Sequence, residues 1–424
     1  MLKNKTLFLT LLATTALDLT NAYAGGSCAP DGDTTSTCHW EYENGVLTIS
    51  GSGAMKDYGI YINGKYTGYA PWDSSAYPYS SVVIKGADTS TGETGITSIG
   101  QNAFKSVDYK ASHLTSVEIP NSVTSIGNSA FKNSHLTSVT IPDSVTSIGS
   151  EVFYNAQDLN SVTLPDSVLS IGGGTFHNTI NLQNITLPKG LTEISSNLFY
   201  QSGITSIDIP DSVTKIGLSA FYSATNLRNV TLPDSLTSVN GSVFQNTNIE
   251  NLTTSDDALS VVRMSDILDG GAYATALIGL AMDQEMLERA QEWGEEDMIP
   301  IFQEMVERSQ AEVDAAKANL LAKTGSIQIN CKGDVEVCKS KLTIPDSYKA
   351  AMGDDWFPFN ITQSSYTRKN SDGSTTIYDA NNKTTSIYDE NGNLISLKGK
   401  RIYTIEEANA VAKPTGNTVR IKYR

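Results

Sequence analysis

The segment that decides the fold is residues 136–149, which read LTSVTIPDSVTSIG. Val139 and Ile141 alternate with a serine and a threonine, and this period-2 pattern indicates a strand that buries one of its faces. Pro142 follows directly and ends the strand, because proline has no backbone N–H to donate to a neighbouring strand. The segment therefore predicts a short strand and a turn within a larger structure.

The same unit recurs along the chain. Val145 and Ile148 return to the buried side, Gly149 is expected to let the backbone bend, and Phe153 is expected to fill the interior. Phenylalanines at this last position lie 22 or 23 residues apart after a first interval of 27. They are Phe104, Phe131, Phe153, Phe176, Phe199, Phe221 and Phe244. A period in this range that opens L-x-x-L-x-L is typical of a leucine-rich-repeat solenoid.

One unit cannot fold alone, because it buries only about five or six apolar groups while more than about twenty residues must be ordered. Stacked units share their apolar faces and are stable together. We therefore predict a repeat protein: a β-rich leucine-rich-repeat solenoid of about seven units, preceded by an N-terminal β cap. A helical segment and a small β-rich C-terminal region are expected after the solenoid.

Segment 136–149 resembles the repeat of the BspA-like leucine-rich-repeat family of exported bacterial surface proteins. The lead-in is similar to that family too, at residues 38–40 (CHW), 45–55 (GVLTISGSGAM) and 71–72 (PW). The resemblance spans about residues 28–255. It implies a β-rich cap before the solenoid and a secreted or cell-surface protein that binds other proteins or host surfaces. It does not imply catalysis, and it supplies no fixed binding residues.

The first 24 residues have the pattern of a signal peptide. Lys3 and Lys5 precede an apolar run at residues 7–17, and Ala22 and Ala24 form the small-x-small site of a signal peptidase. Removing this segment would change the net charge from −16 to −17, because it carries two lysines and one aspartate. The sequence thus predicts an exported protein, at the cell surface or secreted, with the periplasm as the alternative.

Four cysteines fit an oxidising compartment. Cys28 lies ten residues before Cys38, and Cys331 lies seven residues before Cys338. Four cysteines allow three pairings, and sequence alone does not choose among them. Two local disulfides are the simplest expectation, and zinc is disfavoured because its ligands usually have C-x-x-C spacing.

The chain divides into five predicted parts: a signal peptide (1–24), a β cap with a degenerate first repeat (25–95), the solenoid (96–255), an acidic helical segment (256–324) and a disulfide-containing, turn-rich β tail (325–424). The acidic segment holds 15 acidic and five basic residues, and apolar residues recur there at helical spacing. Two or three amphipathic helices are expected, either to cap the last coil or to bind a partner.

In the tail, the motif IYD occurs at residues 377–379 and again at 387–389, and Asn391-Gly392 is a hairpin signal. Asp389, Asn391 and Asn393 also copy the opening of a calcium loop, but leucine follows where that loop needs glycine. A plain turn is therefore favoured over a calcium site. The last residues predict a short helix at 404–412 and a strand at 419–424.

The candidate binding face consists of polar side chains between the buried positions of successive strands, since side chains alternate across a strand. We call this set the polar ladder. Its first column is Ser116, Ser138, Ser161, Asn184, Ser206 and Asn229. Its second column is Glu118, Thr140, Thr163, Thr186, Asp208 and Thr231. The alternative interpretation is a solvated face without a partner, because the tryptophans and arginines usual in binding hot spots are missing from it.

No catalytic motif accompanies these features. The chain contains no G-x-S-x-G, H-E-x-x-H or P-loop pattern, and His113 and His135 recur at equivalent positions through the repeat rather than as metal ligands. We expect no cofactor and no metal. The net charge of −16 disfavours nucleic acid, and no apolar run is long enough for a transmembrane helix.

Three functional hypotheses follow. The first is a non-catalytic binding or adhesion protein whose partner is a protein or another surface macromolecule. The second is a structural or assembly component of the cell envelope, in which the solenoid acts as a spacer. The third is an enzyme whose catalytic residues come together only in the fold.

Overall fold

The computed structural model describes residues 24–31, 33–59, 61–62, 65–66, 70–72, 77–107, 110, 112–262, 272–294, 296–322, 327–342, 344–353, 358–369, 373–380, 384–392 and 394–399. The predicted signal peptide lies outside this range except for Ala24, which begins the first strand. The helix expected at 404–412 and the strand expected at 419–424 also lie outside the described residues.

The described part is dominated by short strands. Up to the end of the repeats they are β1 (Ala24–Ser27), β2 (His39–Glu43), β3 (Val46–Ser50), β4 (Ser52–Ala54), β5 (Tyr61–Ile62), β6 (Lys65–Tyr66), β7 (Ser81–Ile84), β8 (Gly95–Ile99), β9 (Ser116–Glu118), β10 (Ser125–Ile126), β11 (Ser138–Thr140), β12 (Ser147–Ile148), β13 (Ser161–Thr163), β14 (Ser170–Ile171), β15 (Glu193–Ile194), β16 (Ser206–Asp208), β17 (Lys215–Ile216), β18 (Asn229–Thr231), β19 (Ser238–Val239) and β20 (Asn251–Thr254).

Beyond the repeats, helices and strands alternate less regularly. The helices are α1 (Asp256–Leu259), α2 (Ala272–Trp293), α3 (Ile299–Ala322), α4 (Val335–Lys341) and α5 (Asp346–Met352). The later strands are β21 (Ile327–Cys331), β22 (Phe359–Gln363), β23 (Tyr366–Lys369), β24 (Thr375–Asp379), β25 (Thr384–Tyr388) and β26 (Leu394–Gly399).

Successive coils form a solenoid with two strand faces, as the repeat predicts. The first face contains the sheets β1-β2-β3-β7-β9, β11-β13 and β16-β18-β20-β21-β22, and the second contains β14-β12-β10-β8-β4 and β15-β17-β19. Strands of neighbouring coils pair in parallel on both faces. The cap is β-rich, as the family resemblance implies, and β3 pairs in parallel with β7 to join the cap to the first coil.

The predicted inward residues form one continuous core. Val139, Ile141, Val145 and Ile148 are each at most 4% exposed. The repeated phenylalanines stack from coil to coil with ring centroids 5.4–5.8 Å apart. Trp72 of the cap stacks on the first of them at 5.9 Å, so an indole ring begins the same column. The solenoid core therefore reaches back into the cap.

The expected role of Gly149 is wrong. Its φ is not in the left-handed region, and a Cβ built there would lie 2.7 Å from the backbone nitrogen of Asn128 in the preceding coil. Glycine is needed for the close approach of two coils rather than for a bend. The bend lies a few residues later, at Glu151 and Asn155, whose φ angles are 57° and 59°.

The parallel sheet continues after the repeats. Ser255 caps α1 by accepting a hydrogen bond from the backbone of Ala258, and α2 and α3 pack on each other as a helical hairpin. The chain then returns to the sheet: β21 pairs in parallel with β20, and β22 pairs in parallel with β21. Two strands from the segment predicted as a tail thus share a sheet with the last coils.

The disulfides join neighbouring cysteines in sequence, as expected. Cys28 bonds to Cys38 in the cap, with Cα atoms 5.0 Å apart, and Cys331 bonds to Cys338, with Cα atoms 6.4 Å apart. The second bond ties the end of β21 to α4. Farther along, β24 to β26 form antiparallel pairs, and Asn391-Gly392 lies in the turn before β26, as the hairpin signal predicts.

Candidate functional site

The strand register places the polar ladder residues beside one another. Ser138 and Thr140 of β11 lie opposite Ser161 and Thr163 of β13. In the later coils, the same register pairs Ser206 with Asn229 and Asp208 with Thr231. On the cap side, Ser116 and Glu118 of β9 lie opposite residues of β7. Parallel pairing without a register shift therefore aligns the two predicted columns within each of these sheets.

The ladder is accessible to solvent because each polar side chain flanks an apolar side chain that is buried or partly buried. Thr140 and Thr163 are exposed, and each directly follows a buried valine. Of the twelve ladder residues, only Ser206 and Thr231 are partly covered. Asn184 and Thr186 are exposed as well, but they lie in a segment outside the assigned strands. The structure therefore brings five of the six predicted pairs onto strands and leaves one pair on irregular backbone between them.

The ladder is longer than the repeats predict. Asn251 and Thr253 of β20 continue the two columns beyond Asn229 and Thr231. The next rungs come from strands β21 and β22, where Gln328 and Asn330 lie opposite Asn360 and Thr362. Since neighbouring strands lie about 4.8 Å apart, nine rungs span roughly 38 Å. The alternation in residues 327–331 (IQINC) was the available sequence signal for the added rungs.

Side-chain hydrogen bonds connect successive rungs at the added end. Asn251 Nδ2 donates to Asn229 Oδ1 at 2.8 Å, and Thr362 Oγ1 donates to Asn330 Oδ1 at 2.8 Å. A carboxamide has two donors and an acceptor oxygen with two lone pairs, so one such bond orients the group without using its full capacity. The rungs are therefore pre-oriented hydrogen-bonding groups, which lowers the entropic cost of binding a ligand.

The side chains of the polar ladder are mostly neutral hydrogen-bonding groups. The twelve predicted residues include two carboxylates, Glu118 and Asp208, and the rest are hydroxyl or amide side chains. None of the twelve is a histidine, cysteine or lysine that could act as a base or nucleophile beside the serines. A regular array of donors and acceptors suits an extended or repetitive partner.

A second column lies on the turn side of the solenoid. Tyr154, His177, Tyr200 and Tyr222 stack in sequence, with ring centroids 4.3–4.9 Å apart. The Lys132 ammonium lies 4.0 Å above the first ring of this stack. Burial lowers the pKa of His177, partly opposed by the charge of Glu151. Because the rings cover each other's faces, this aromatic column stabilises the packing of successive coils. It leaves mainly ring edges accessible to a ligand.

Two of the remaining candidates make other contacts in the part of the chain that the structure describes, and Asn393 of the calcium-like pattern lies outside that part. His135 Nδ1 lies 2.6 Å from an Asp158 carboxylate oxygen, and Asp389 accepts a hydrogen bond from the Asn391 backbone in a plain turn. Within the described ranges, no group of three or more His, Cys, Asp or Glu residues could hold a metal ion. None of the helices in that part of the chain is both long enough and apolar enough to cross a membrane.

Stacked coils with parallel strands and an inward phenylalanine column define a leucine-rich-repeat solenoid. Residues 88–168 and 146–264 match the family described as "BspA type Leucine rich repeat region", in six copies. The repeats of this chain are therefore BspA-type leucine-rich repeats. No curated protein matches the chain in sequence.

Several solved structures are similar to this chain. A leucine-rich repeat protein from Eubacterium ventriosum is 21% identical, with 57% of this chain and 71% of that chain covered and a TM-score of 0.36. One from Bacteroides ovatus is 22% identical, with 52% and 69% covered and a TM-score of 0.33. The T. pallidum leucine-rich repeat protein is 20% identical, with 53% and 86% covered and a TM-score of 0.30.

Proposed function

We propose that this chain is an exported binding or adhesion protein whose polar ladder contacts a protein or another macromolecule at a cell surface, without catalysis. The observation that carries the proposal is the extension of the ladder beyond the repeats. Two strands separated from β20 by a helical hairpin return to the same sheet and add polar pairs in register. The side chains that these strands add, Gln328, Asn330, Asn360 and Thr362, have the same amide and hydroxyl chemistry as the ladder within the repeats.

Export is part of the proposal, and it is supported by the signal-peptide pattern and by two disulfides. Protease treatment of intact cells tests the location. Cleavage of this chain while a periplasmic marker survives supports surface exposure. Cleavage only after the envelope is opened contradicts the adhesion proposal and favours the structural or assembly component.

Binding is tested with the fluorescently labelled mature chain on cultured epithelial cells, read by flow cytometry. The variant T140K/T163K/T186K changes three exposed ladder residues. Because bulky cations would block contacts along the ladder, we expect at least a tenfold loss of binding. The control T146K/T192K/T214K adds the same charge to exposed threonines that directly precede strands β12, β15 and β17 of the second face, and it should bind normally. Equal losses in both variants would contradict a role for the ladder.

A further inference from the structure

The helical hairpin is attached at its base to the end of the solenoid. Tyr273 and Leu280 of α2, and Val313 and Leu320 of α3, are buried and belong to the same apolar core as the coils. The ring of Tyr273 also meets that of Tyr348 in α5 at 5.1 Å, edge to face. One face of each helix is thus used to hold the hairpin together and to fix it on the molecule.

The opposite face of α2 carries large apolar side chains in solvent. Ile278, Met282, Met286 and Trp293 are 63%, 61%, 41% and 68% exposed. They are spaced by four, four and seven residues, so they lie within one sector of the helix at 100° per residue. We call them the apolar stripe. At about 1.5 Å per residue, the apolar stripe is roughly 23 Å long. Methionine and tryptophan are residue types that often anchor protein interfaces.

An acidic edge runs beside the apolar stripe. Glu285, Glu288 and Glu292 are exposed and follow each other at three- and four-residue spacing on the same helix. Arg289 forms an ion pair with Glu285 and is one of few basic residues in this part of the chain. Residues 272–322 contain 11 acidic and three basic residues, a net charge of −8. The hairpin therefore attracts a cationic partner and repels an anionic one.

We propose that the apolar stripe and its acidic edge are a docking surface for a basic amphipathic helix of a partner protein. A helix of about four turns matches the length of the stripe, its apolar side chains can pack between the methionines, and its lysines or arginines would face the glutamates. A second copy of this chain is disfavoured as the occupant, because it would bring two strongly negative hairpins together. This surface lies outside the polar ladder.

The test uses the full mature chain and a fluorescent 16-residue peptide of leucine and lysine, with leucines at helical i, i+3, i+4 and i+7 spacing. A peptide of the same composition in scrambled order and a leucine–glutamate peptide are the controls. We expect the patterned basic peptide to bind, with anisotropy rising on titration, and the affinity to fall at 0.5 M salt. Neither control peptide should bind as tightly.

The variant M282S/M286S/W293S removes most of the apolar stripe at exposed positions, so folding should persist, as checked by circular dichroism. We expect at least tenfold weaker peptide binding. The matched control is L321S, which removes an apolar side chain that is 51% exposed on α3, outside the stripe. Its affinity should be unchanged. The ladder variant T140K/T163K/T186K should also bind the peptide normally, which separates this proposal from the proposed function.

Three results would overturn the proposal. One is equal affinity for the patterned and scrambled basic peptides, which would indicate charge attraction alone. Another is unchanged affinity in the triple serine variant. The third is a concentration-dependent dimer, detected by analytical ultracentrifugation and lost in that variant, which would make a second copy the occupant.

Discussion

At the scale of single residues, the turn side of the coils depends on a backbone conformation that glycine usually adopts. Most coils have two residues with positive φ, and most of these are Asn, Ser, Gln or Glu rather than glycine. A residue with a Cβ is destabilised by about 1–2 kcal/mol in this region, because the Cβ comes too close to the following carbonyl oxygen. Asparagines offset that cost through a chain of amides: Asn178 donates to Asn155 at 2.6 Å, and Asn155 donates to Asn133 at 2.9 Å.

His177 is the unusual member of the neighbouring aromatic column. Tyrosines occupy the equivalent positions on both sides of it, and within the described residues its Nδ1 is buried without a hydrogen-bond partner. Because burial lowers the pKa of His177 in the folded chain, the unfolded chain binds more protons as the pH falls below about 6.5. The stabilising contribution of neutral His177 is complete above that pH and is lost as the pH falls through the folded-state pKa.

The variant His177→Tyr should remove this dependence. Tyrosine continues the column and does not titrate in this range, so the free energy of unfolding should decline less between pH 7 and pH 5 than in the wild type. Urea unfolding followed by circular dichroism at several pH values measures the free energy of unfolding. His113→Tyr, at an exposed position, is the control and should retain the wild-type slope. An identical slope for His177→Tyr would show that this histidine does not contribute.

At the scale of secondary-structure elements, neighbouring coils approach closely through backbone at the glycines that follow several second-face strands. A Cβ at Gly217, after β17, would lie 2.5 Å from the backbone nitrogen of Ser196 in the preceding coil. Ser195 and Asn240 occupy equivalent positions elsewhere, so individual coils can shift to admit a side chain. Glycine at this position therefore sets the distance between two particular coils.

Replacing Gly217 with alanine should cost about 1–3 kcal/mol, the usual penalty for forcing an extra carbon into a packed region. Gly279 is the matched control, because it lies within α2 with nothing inside 4 Å of a built Cβ. There, alanine should stabilise by about 0.5–1 kcal/mol, since glycine weakens a helix interior. Chemical denaturation measures both changes. Equal effects of the same sign would show that coil contact is not the cause.

Local pattern predicted the elements, but it did not predict how distant elements pair. The alternation around Val139 identified the buried and exposed sides of β11 and β13 correctly, whereas the equivalent residues 184–186 form no strand. The placement of β21 beside β20 brings Asn330 near Thr253, 77 residues earlier in the chain. The alternation in residues 327–331 indicates a strand but not the strand with which it pairs, so the ladder could be predicted within the repeats and not beyond them. The role of Gly149 was missed for the same reason, since its neighbour belongs to another coil.

At the scale of the whole molecule, a solenoid needs both of its ends covered, because a terminal coil exposes apolar side chains and unpaired strand edges. The cap covers the first end through β3 and β7. At the other end β21 covers β20 and β22 covers β21, and Ile327, Ile329 and Cys331 of β21 are at most 1% exposed. The disulfide between Cys331 and Cys338 fastens α4 to this end.

A chain shortened to end at residue 262 should expose the edge of β20 and uncover Leu252 and Leu259, which are at most 1% exposed in the full chain. We expect a lower melting temperature and soluble oligomers, because an open parallel edge pairs readily with another copy. Thermal unfolding followed by circular dichroism and light scattering measures both. A chain ending at residue 365 keeps β22 and removes the antiparallel sheet that follows, so its solenoid should melt as in the full chain. If the shorter chain stayed monomeric and melted at the temperature of the longer one, β21 and β22 would not be the closing elements of the solenoid.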